Sequence, residues 1–357
     1  MTIFYVTLAI VSSLALIARL KMIKVGGKAS IFYTSLICII LILISGLRTN
    51  IGDTGMYVHT YEIIGPNYDG NGVYEVGFVL FLKFLKSISY NPQFMIMTIS
   101  IIVNICIIFT LWNYSEDSFF ELSIFLYISS GYFLVTMNGI RQCLAASIIF
   151  AFTPLIIKGK DKWYIVIIFI ACTIHSSAFI MIPIYFIARL KPWSKNTLLL
   201  VACTIIAMFL YQPLMELASQ ILGSKAEAYK ESTEKGTSII RIAIFFVPVI
   251  LSYLKRDELN KKWMESGIFV NITMLSALVM LFSKMHWVFA RFTLYLQPYT
   301  FILMAYMVKN VFKGSERRLL YYGLVVCYSV FFFIECPSNL NNIPYKTDFK
   351  LKEFFYK

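Results

Sequence analysis

The chain has 357 residues, of which 59% are hydrophobic and 17% aromatic, and only 14% are charged, with a mean hydropathy of +0.74. A soluble domain carries close to a quarter charged residues, so this composition excludes an ordinary water-soluble fold and points to lipid as the solvent. The net charge of +13 would suggest nucleic acid in a soluble protein. Here most of it falls in short loops between apolar runs, as expected of cytoplasmic loops, and no nucleic-acid partner is implied.

The sequence therefore reads as a single all-α, polytopic membrane domain over residues 1–357. A bilayer core takes about 20 apolar residues in helix, fewer where helices break inside protein. Twelve spans are expected, at 3–20, 31–47, 93–112, 119–137, 140–157, 163–174, 177–190, 196–215, 239–254, 265–284, 289–309 and 318–334. Arg19, Lys21, Lys24 and Lys28 follow the first, which places that loop in the cytoplasm and the N-terminus outside. The segment 48–92 is then an external loop. Its Phe78–Ile88 stretch reads as an interfacial helix, being short and carrying Lys83 and Lys86. Keeping the basic loops Lys158–Lys162, Arg189–Lys195, Lys255–Lys262 and Lys309–Arg318 inside requires residues 163–190 to be two short helices broken near His175. A second external loop is expected at 216–238. The loop Asn113–Ser118 is acidic, unlike the other loops assigned to the cytoplasm.

This topology collects Arg48, Asp53, Glu75, Asn138, Arg141, Gln142, His175, Arg241, His286 and Arg291 at the outer boundary. Ionisable groups at one face of a membrane protein mark a functional site by default. Arginines with few acidic neighbours suit a diphosphate, since guanidinium pairs bidentately with phosphate oxygens. Asp53, Glu75 and His175 are the candidates for base or aligning acceptor, with Asp53 in Gly-Asp-Thr-Gly preferred. Snorkelling of Arg241 and Arg291, a helix-break role for His175 and a turn or N-cap role for Asp53 are the plainer readings of the same residues. His59 and Glu62 read as loop polar residues. Three scattered histidines offer no metal motif, and neither a nucleophile elbow nor a phosphate loop occurs.

Four blocks, in order, carry a resemblance. They are Ser45-Gly-Leu-Arg48-Thr-Asn-Ile-Gly52-Asp53-Thr-Gly-Met-Tyr57, Tyr74-Glu75-Val-Gly77-Phe78, Asn138-Gly-Ile-Arg141-Gln142-Cys-Leu-Ala145 and His175-Ser-Ser-Ala178-Phe-Ile-Met-Ile-Pro183. Arg291-Phe-Thr-Leu-Tyr295 and Ile343-Pro344-Tyr345 are also similar. Together they resemble EpsG-like polymerases, a Wzy-type group that builds bacterial extracellular polysaccharide. The resemblance implies a metal- and cofactor-independent glycosyltransferase in the bacterial cytoplasmic membrane, possessing a GT-C-like arrangement at fold level. It would join oligosaccharide repeat units carried on polyprenyl diphosphate at the outer face, alongside a flippase and a chain-length regulator. Asp53, Glu75 and His175 would be catalytic. Arg48, Asn138, Arg141, Gln142, Arg241, Arg291, Tyr57 and Tyr295 would hold diphosphate and sugar. The alternatives are an O-antigen-type ligase, which usually carries a larger late external loop, and a lipid-linked sugar transporter, which should show internal repeats that are not evident here.

Overall fold

The computed structural model describes residues 2–25, 27–65, 67, 68, 70, 73–210, 236–339 and 343–347. Among them all regular structure is helical, and no strand occurs. Three helices among the described residues are long and apolar enough to cross a membrane: Thr2–Leu20, Pro92–Asn113 and Gly314–Pro337. The other apolar helices are shorter, so the structure establishes a multi-helical membrane protein but not the twelve spans expected. The described residues form two compact units, Met1–Ile182 with Met304–Lys357, and Pro183–Leu303. Most of the expected external loop 216–238 lies outside the described residues.

The first unit is built from helices α1 (Thr2–Val25), α2 (Ile31–Gly46), α3 (Thr54–Ile63), α4 (Val76–Ile88), α5 (Pro92–Asn113), α6 (Phe120–Ser129), α7 (Tyr132–Val135), α8 (Ile140–Ala151), α9 (Thr153–Ile157) and α10 (Asp161–Ile174), with Gly314–Asn339 returning beside them. α6 is its centre, with every residue from Phe120 to Ser129 buried. Several expected spans are broken, each for a local reason. Gly131, at φ 82°, separates α6 from α7. Pro154 cannot donate its amide to an earlier turn, and α8 ends before it. Asn91 starts α5 by accepting from the Gln93 amide, with Pro92 in the first turn.

The expected break at His175 is present. Its backbone is extended (φ −152°, ψ 117°), and Ser176–Ile180 continues as a 3₁₀ turn. The Phe169 and Phe179 rings meet at 5.9 Å. In a continuous helix these residues would stand about 15 Å apart along the axis, so the chain turns back.

Ends of helices gather into two groups. At one, the Lys28 Nζ donates to Asn113 Oδ1 at 2.9 Å and lies over the Trp112 ring, while the Trp112 indole donates to the Ala29 carbonyl at 2.7 Å. The Asn310 amide donates to the Asp117 carbonyl at 2.5 Å, and Lys309 donates to that of Glu116. The acidic loop 113–118 thus sits among the basic groups assigned to the cytoplasm. α2, of 16 residues and about 24 Å long, leads from this basic end to the opposite one, where the 48–92 segment lies.

That segment is more ordered than a loop. Thr54–Ile63 forms α3, so His59 and Glu62 stand on a helix rather than in the loop expected for them. The ten residues mix hydroxyls, an aromatic pair and two ionisable groups without a clear apolar stripe, so nothing in their periodicity announces a helix. The stretch expected to be an interfacial helix is helical, as α4. Phe78, Val79, Leu82 and Leu85 are buried, while Val76, Leu80 and Phe84, spaced four apart, form a second apolar stripe that is exposed. Lys86 reaches back to α3, donating at 2.8 Å to the carbonyls of Tyr61, Glu62 and Ile64. These satisfy groups that a helix C-terminus otherwise leaves open.

The second unit contains Lys195–Phe209, Ile239–Leu254, Arg256–Lys262, Ser266–Phe282 and Val288–Phe292, followed by a 3₁₀ turn, Thr293–Tyr295. Val249, Met274, Ala277 and Leu278 form a core cluster. The Asn271 amide closes the end of the Met181–Ala188 helix by donating to the carbonyls of Ile187, Ala188 and Leu190.

Candidate functional site

Three motifs far apart in sequence meet at the end of the first unit opposite its basic end. Arg141 opens α8, and its Nη1 pairs with Glu75 Oε2 at 2.5 Å and donates to the Val73 carbonyl at 3.4 Å. Its Nε donates to the Tyr57 hydroxyl at 3.1 Å. The guanidinium lies over the Tyr74 ring at 4.5 Å and near Phe78 at 5.6 Å. Tyr57, Tyr74 and Phe78 pack against one another, with centroids 5.9–6.3 Å apart. A cation held by both hydrogen bonds and ring faces is oriented, not merely located.

Glu75 completes the junction. Its Oε1 accepts from the Ser176 amide at 2.7 Å, at the chain reversal that His175 begins. Burial raises its pKa, but the Ser176 amide and hydroxyl, its own amide and Arg141 together outweigh that, and Glu75 titrates below the usual carboxylate range. It is ionised at neutral pH. Gly77, the second residue of α4, lies so close to α10 that a Cβ there would clash with Thr173 Oγ1 and stand 2.7 Å from the Thr173 carbonyl. The YEVG block thus docks α4 directly beneath the histidine.

His175 Nδ1 accepts from the Ser177 amide at 3.2 Å, with the Ser177 hydroxyl 2.7 Å away. An amide donor at Nδ1 requires its lone pair, so the tautomer assigned is the one with the proton on Nε2.

Asp53, half-buried, stands at the start of α3, one turn before Tyr57, whose amide donates to its carbonyl at 3.2 Å. Gly52 precedes it at φ +57°, and a Cβ at that position would lie 2.5 Å from Asn138 Cα. The SGLR–GD and NGIRQ blocks therefore touch, bringing Asn138 to the loop that carries Asp53. Burial raises the Tyr57 pKa, partly offset by Arg141.

Arg48 is placed differently from the other arginines. It is 2% exposed, its Nε donates to Thr54 Oγ1 at 3.0 Å, and its Nη1 donates to the Ser45 carbonyl and, at 3.5 Å, to Ser100 Oγ. Burial lowers its pKa to about 10, opposed by Tyr345, Cys143 and Asp53, so it stays charged at neutral pH. The Ile343-Pro344-Tyr345 block closes over this loop. Asn50 Nδ2 donates to the Pro344 carbonyl at 2.7 Å, its Oδ1 accepts from the Lys346 amide at 3.0 Å, and Tyr345 packs on Phe4. Gln142 is buried.

In the second unit, the Thr237 hydroxyl accepts from Ser283 Oγ at 2.7 Å, joining the starts and ends of two helices at one end. Arg241 lies in the first turn after Ser238, His286 Nδ1 accepts from the Val288 amide at 3.2 Å, and exposed Arg291 stacks over Trp287 at 4.7 Å. Tyr295 is 1% exposed and belongs to the interior of that unit.

Sequence reasoning did not single out Ser176, whose amide fixes Glu75, or Thr54, which anchors Arg48. Ser176 lies within the His-Ser-Ser-Ala block, which is its only signal. Among the described residues, no group of histidine, cysteine, aspartate or glutamate is arranged to hold a metal ion.

The apolar helices and the polar cluster built from their ends and the 48–92 segment define a multi-pass, all-helical membrane protein with a site at one end of the helices. The EpsG family model matches residues 31–347. The chain belongs to the EpsG family, and membership carries a role in polysaccharide polymerisation. No curated protein and no solved structure matches it.

Proposed function

We propose that this protein is a membrane glycosyltransferase that polymerises oligosaccharide repeat units carried on polyprenyl diphosphate, at the outer face of the cytoplasmic membrane and without a metal ion. The observation that carries this reading is the convergence of Arg141, Glu75, Tyr57 and the His175 turn from four separate sequence blocks. The C1–O bond to the donor diphosphate breaks as the acceptor hydroxyl bonds to C1, and the lipid diphosphate leaves with the bond's electrons. Such a leaving group needs its growing charge stabilised more than it needs a strong acid.

Arg141 is the residue proposed to meet that charge, with the His175 turn holding Glu75 behind it. A preorganised cation in a partly dry site contributes several kcal/mol to such a step, on the order of 100-fold or more in rate. Glu75 orients Arg141 and, already ionised and doubly engaged, is a positioning group. Arg48, spent on Ser45, Thr54 and Ser100, is proposed to hold the loop beneath Asp53. Asp53 is the proposed base, accepting the acceptor hydroxyl's proton as the new bond forms, with Asn138 beside it. Polymerisation involves two lipid diphosphates, since the acceptor keeps its own.

The test uses purified wild type, Asp53→Asn and His175→Ala with lipid-linked oligosaccharide. Asp53→Asn should bind substrate near normally and polymerise at least ~100-fold more slowly. Normal polymer from Asp53→Asn, together with an inert but substrate-binding His175→Ala, transfers the base to the histidine. Transfer of glycan only to a different acceptor shows a ligase instead.

A further inference from the structure

Beneath the loop that carries Asp53, the first unit contains a connected run of buried polar side chains. Its centre is Asn104, which is fully buried in α5 and lies about 18 Å along the helix axis from Pro92. An amide so deep in an apolar span is costly unless it is hydrogen-bonded, and a polar group kept there marks a functional role by default. Asn104 Nδ2 donates to Ser45 Oγ at 3.0 Å and to the Ser100 carbonyl at 2.8 Å. Its Oδ1 accepts from the Tyr127 hydroxyl at 3.4 Å.

These contacts lead to both blocks that meet at Asp53. On one side, Ser45 and Ser100 are the residues that hold Arg48 Nη1, through the Ser45 carbonyl and the Ser100 hydroxyl. Arg48 Nε in turn donates to the hydroxyl of Thr54, the residue after Asp53. On the other side, the Tyr127 hydroxyl also pairs with the Thr136 side chain. Thr136 lies just before Asn138, which packs against Gly52. Ser45, Arg48, Ser100, Tyr127 and Thr136 are all buried, and a sealed polar network of this kind is rigid when its members are satisfied. A polar group that only clamped two helices could lie anywhere along them. Both arms of this one end beside the residues of the candidate site.

We propose that Asn104 is a positioning residue for the polymerase reaction. Through Ser45, Ser100 and Arg48 it fixes the loop that carries Asp53, and through Tyr127 and Thr136 it fixes the turn that carries Asn138. The inference rests on the reading of Asp53 as the base, with Asn138 beside it. Asn104 itself touches no substrate. It acts because a base must stand within hydrogen-bond reach of the acceptor hydroxyl, and a displacement of about 1 Å costs on the order of 100-fold in rate.

The test compares purified full-length wild type, Asn104→Ala, Ser45→Ala and Tyr127→Phe, by kinetics with lipid-linked oligosaccharide and by hydrogen–deuterium exchange. Asn104→Ala should lower kcat about 10- to 100-fold, with KM near that of wild type. The amides of Thr49, Thr54 and Tyr57 donate to the carbonyls of Lys346, Ile51 and Asp53. In Asn104→Ala they should exchange about 3- to 10-fold faster, the scale of one lost hydrogen bond. Exchange in residues 112–118, at the basic end, should not change. Ser45→Ala should speed the Thr49, Thr54 and Tyr57 amides, and Tyr127→Phe those of Asn138 and Ile140. Adding Ser45→Ala to Asn104→Ala should slow kcat no further, because both break one path. Where Asn104→Ala does not fold, Ser45→Ala and Tyr127→Phe carry both readouts. Unchanged kcat, unchanged loop exchange, faster exchange at both ends of the bundle, or additive losses would overturn the proposal. Normal polymer from Asp53→Asn, with Asn104→Ala still slow in kcat, removes Asp53 as the base and leaves Asn104 positioning the loops. If wild type forms no polymer, the polymerase reading fails, and the exchange pattern alone decides whether Asn104 holds the two loops.

Discussion

Two arginine–glutamate pairs, each closed at 2.5 Å, stand at opposite ends of the same helix bundle and are built to different ends. Arg19–Glu121 joins two helices directly, with Glu121 at the start of the most buried helix in the unit. Arg141–Glu75 joins a helix start to a loop, and a backbone amide from a third segment takes the other carboxylate oxygen. Glu121 is the more deeply buried carboxylate and leaves its Oε2 without a donor, while Glu75 is partly exposed and has both oxygens engaged. Burial without full hydrogen bonding makes a pair essential to the fold, because removing one partner strands a charge. A partly exposed carboxylate with both oxygens engaged instead fixes the orientation of its arginine, here across an aromatic floor.

The sharpest way to break this comparison is at Arg141. Arg141→Ala should leave the protein folded and cut polymer formation by at least ~100-fold, with single lipid-linked units accumulating. Arg141→Lys should rescue only weakly, because a point charge cannot reproduce bonds to Tyr57 and Glu75 while also stacking on Tyr74. Full polymer yield from Arg141→Ala in cells would remove this end of the bundle from the chemistry.

At the other end the effect should fall on stability. Arg19→Ala should cost about 3–5 kcal/mol by leaving Glu121 buried and unpaired. The double variant Arg19→Ala, Glu121→Gln should recover much of that loss. Thermal unfolding in one detergent checks both, and equal stability of Arg19→Ala and wild type would mean that the pair contributes nothing.

The smallest effect concerns pH. Glu75 has a folded pKa below its unfolded value of about 4.3. Its contribution is therefore complete above that value and fades as pH falls through the lower folded pKa. Between about pH 5 and 3, wild type should lose stability faster than Glu75→Gln. Parallel curves for the two proteins would show that the Arg141 and Ser176 contacts do not hold the ionised form.

Much of this was readable from residues alone. Composition named the solvent, because no water-soluble core accommodates so many apolar side chains. The break at His175 followed from length, since residues 163–190 as one helix outrun a bilayer, and α4 followed from apolar residues interrupted by lysines. Helix α3 was not readable, as Thr54–Ile63 carries no strong period and is held by Lys86 from a helix more than twenty residues on. Nor were the breaks that Gly131 and Pro154 place inside apolar runs.

For the site, sequence alone identified the ionisable residues that lie at helix ends, because charge in a bilayer is expensive and its presence in apolar surroundings stands out. Which of them act together was decided only by tertiary structure. Arg141 meets a glutamate 66 residues earlier, and that glutamate meets an amide 101 residues later. Arg48 and Arg141 read alike in sequence, yet one is sealed beneath the loop and the other lies across an aromatic floor. Pairing over such separations depends on how α4, α8 and α10 pack, down to the absence of a Cβ at Gly77. No local pattern encodes it, because the contact energy exists only once those helices are side by side.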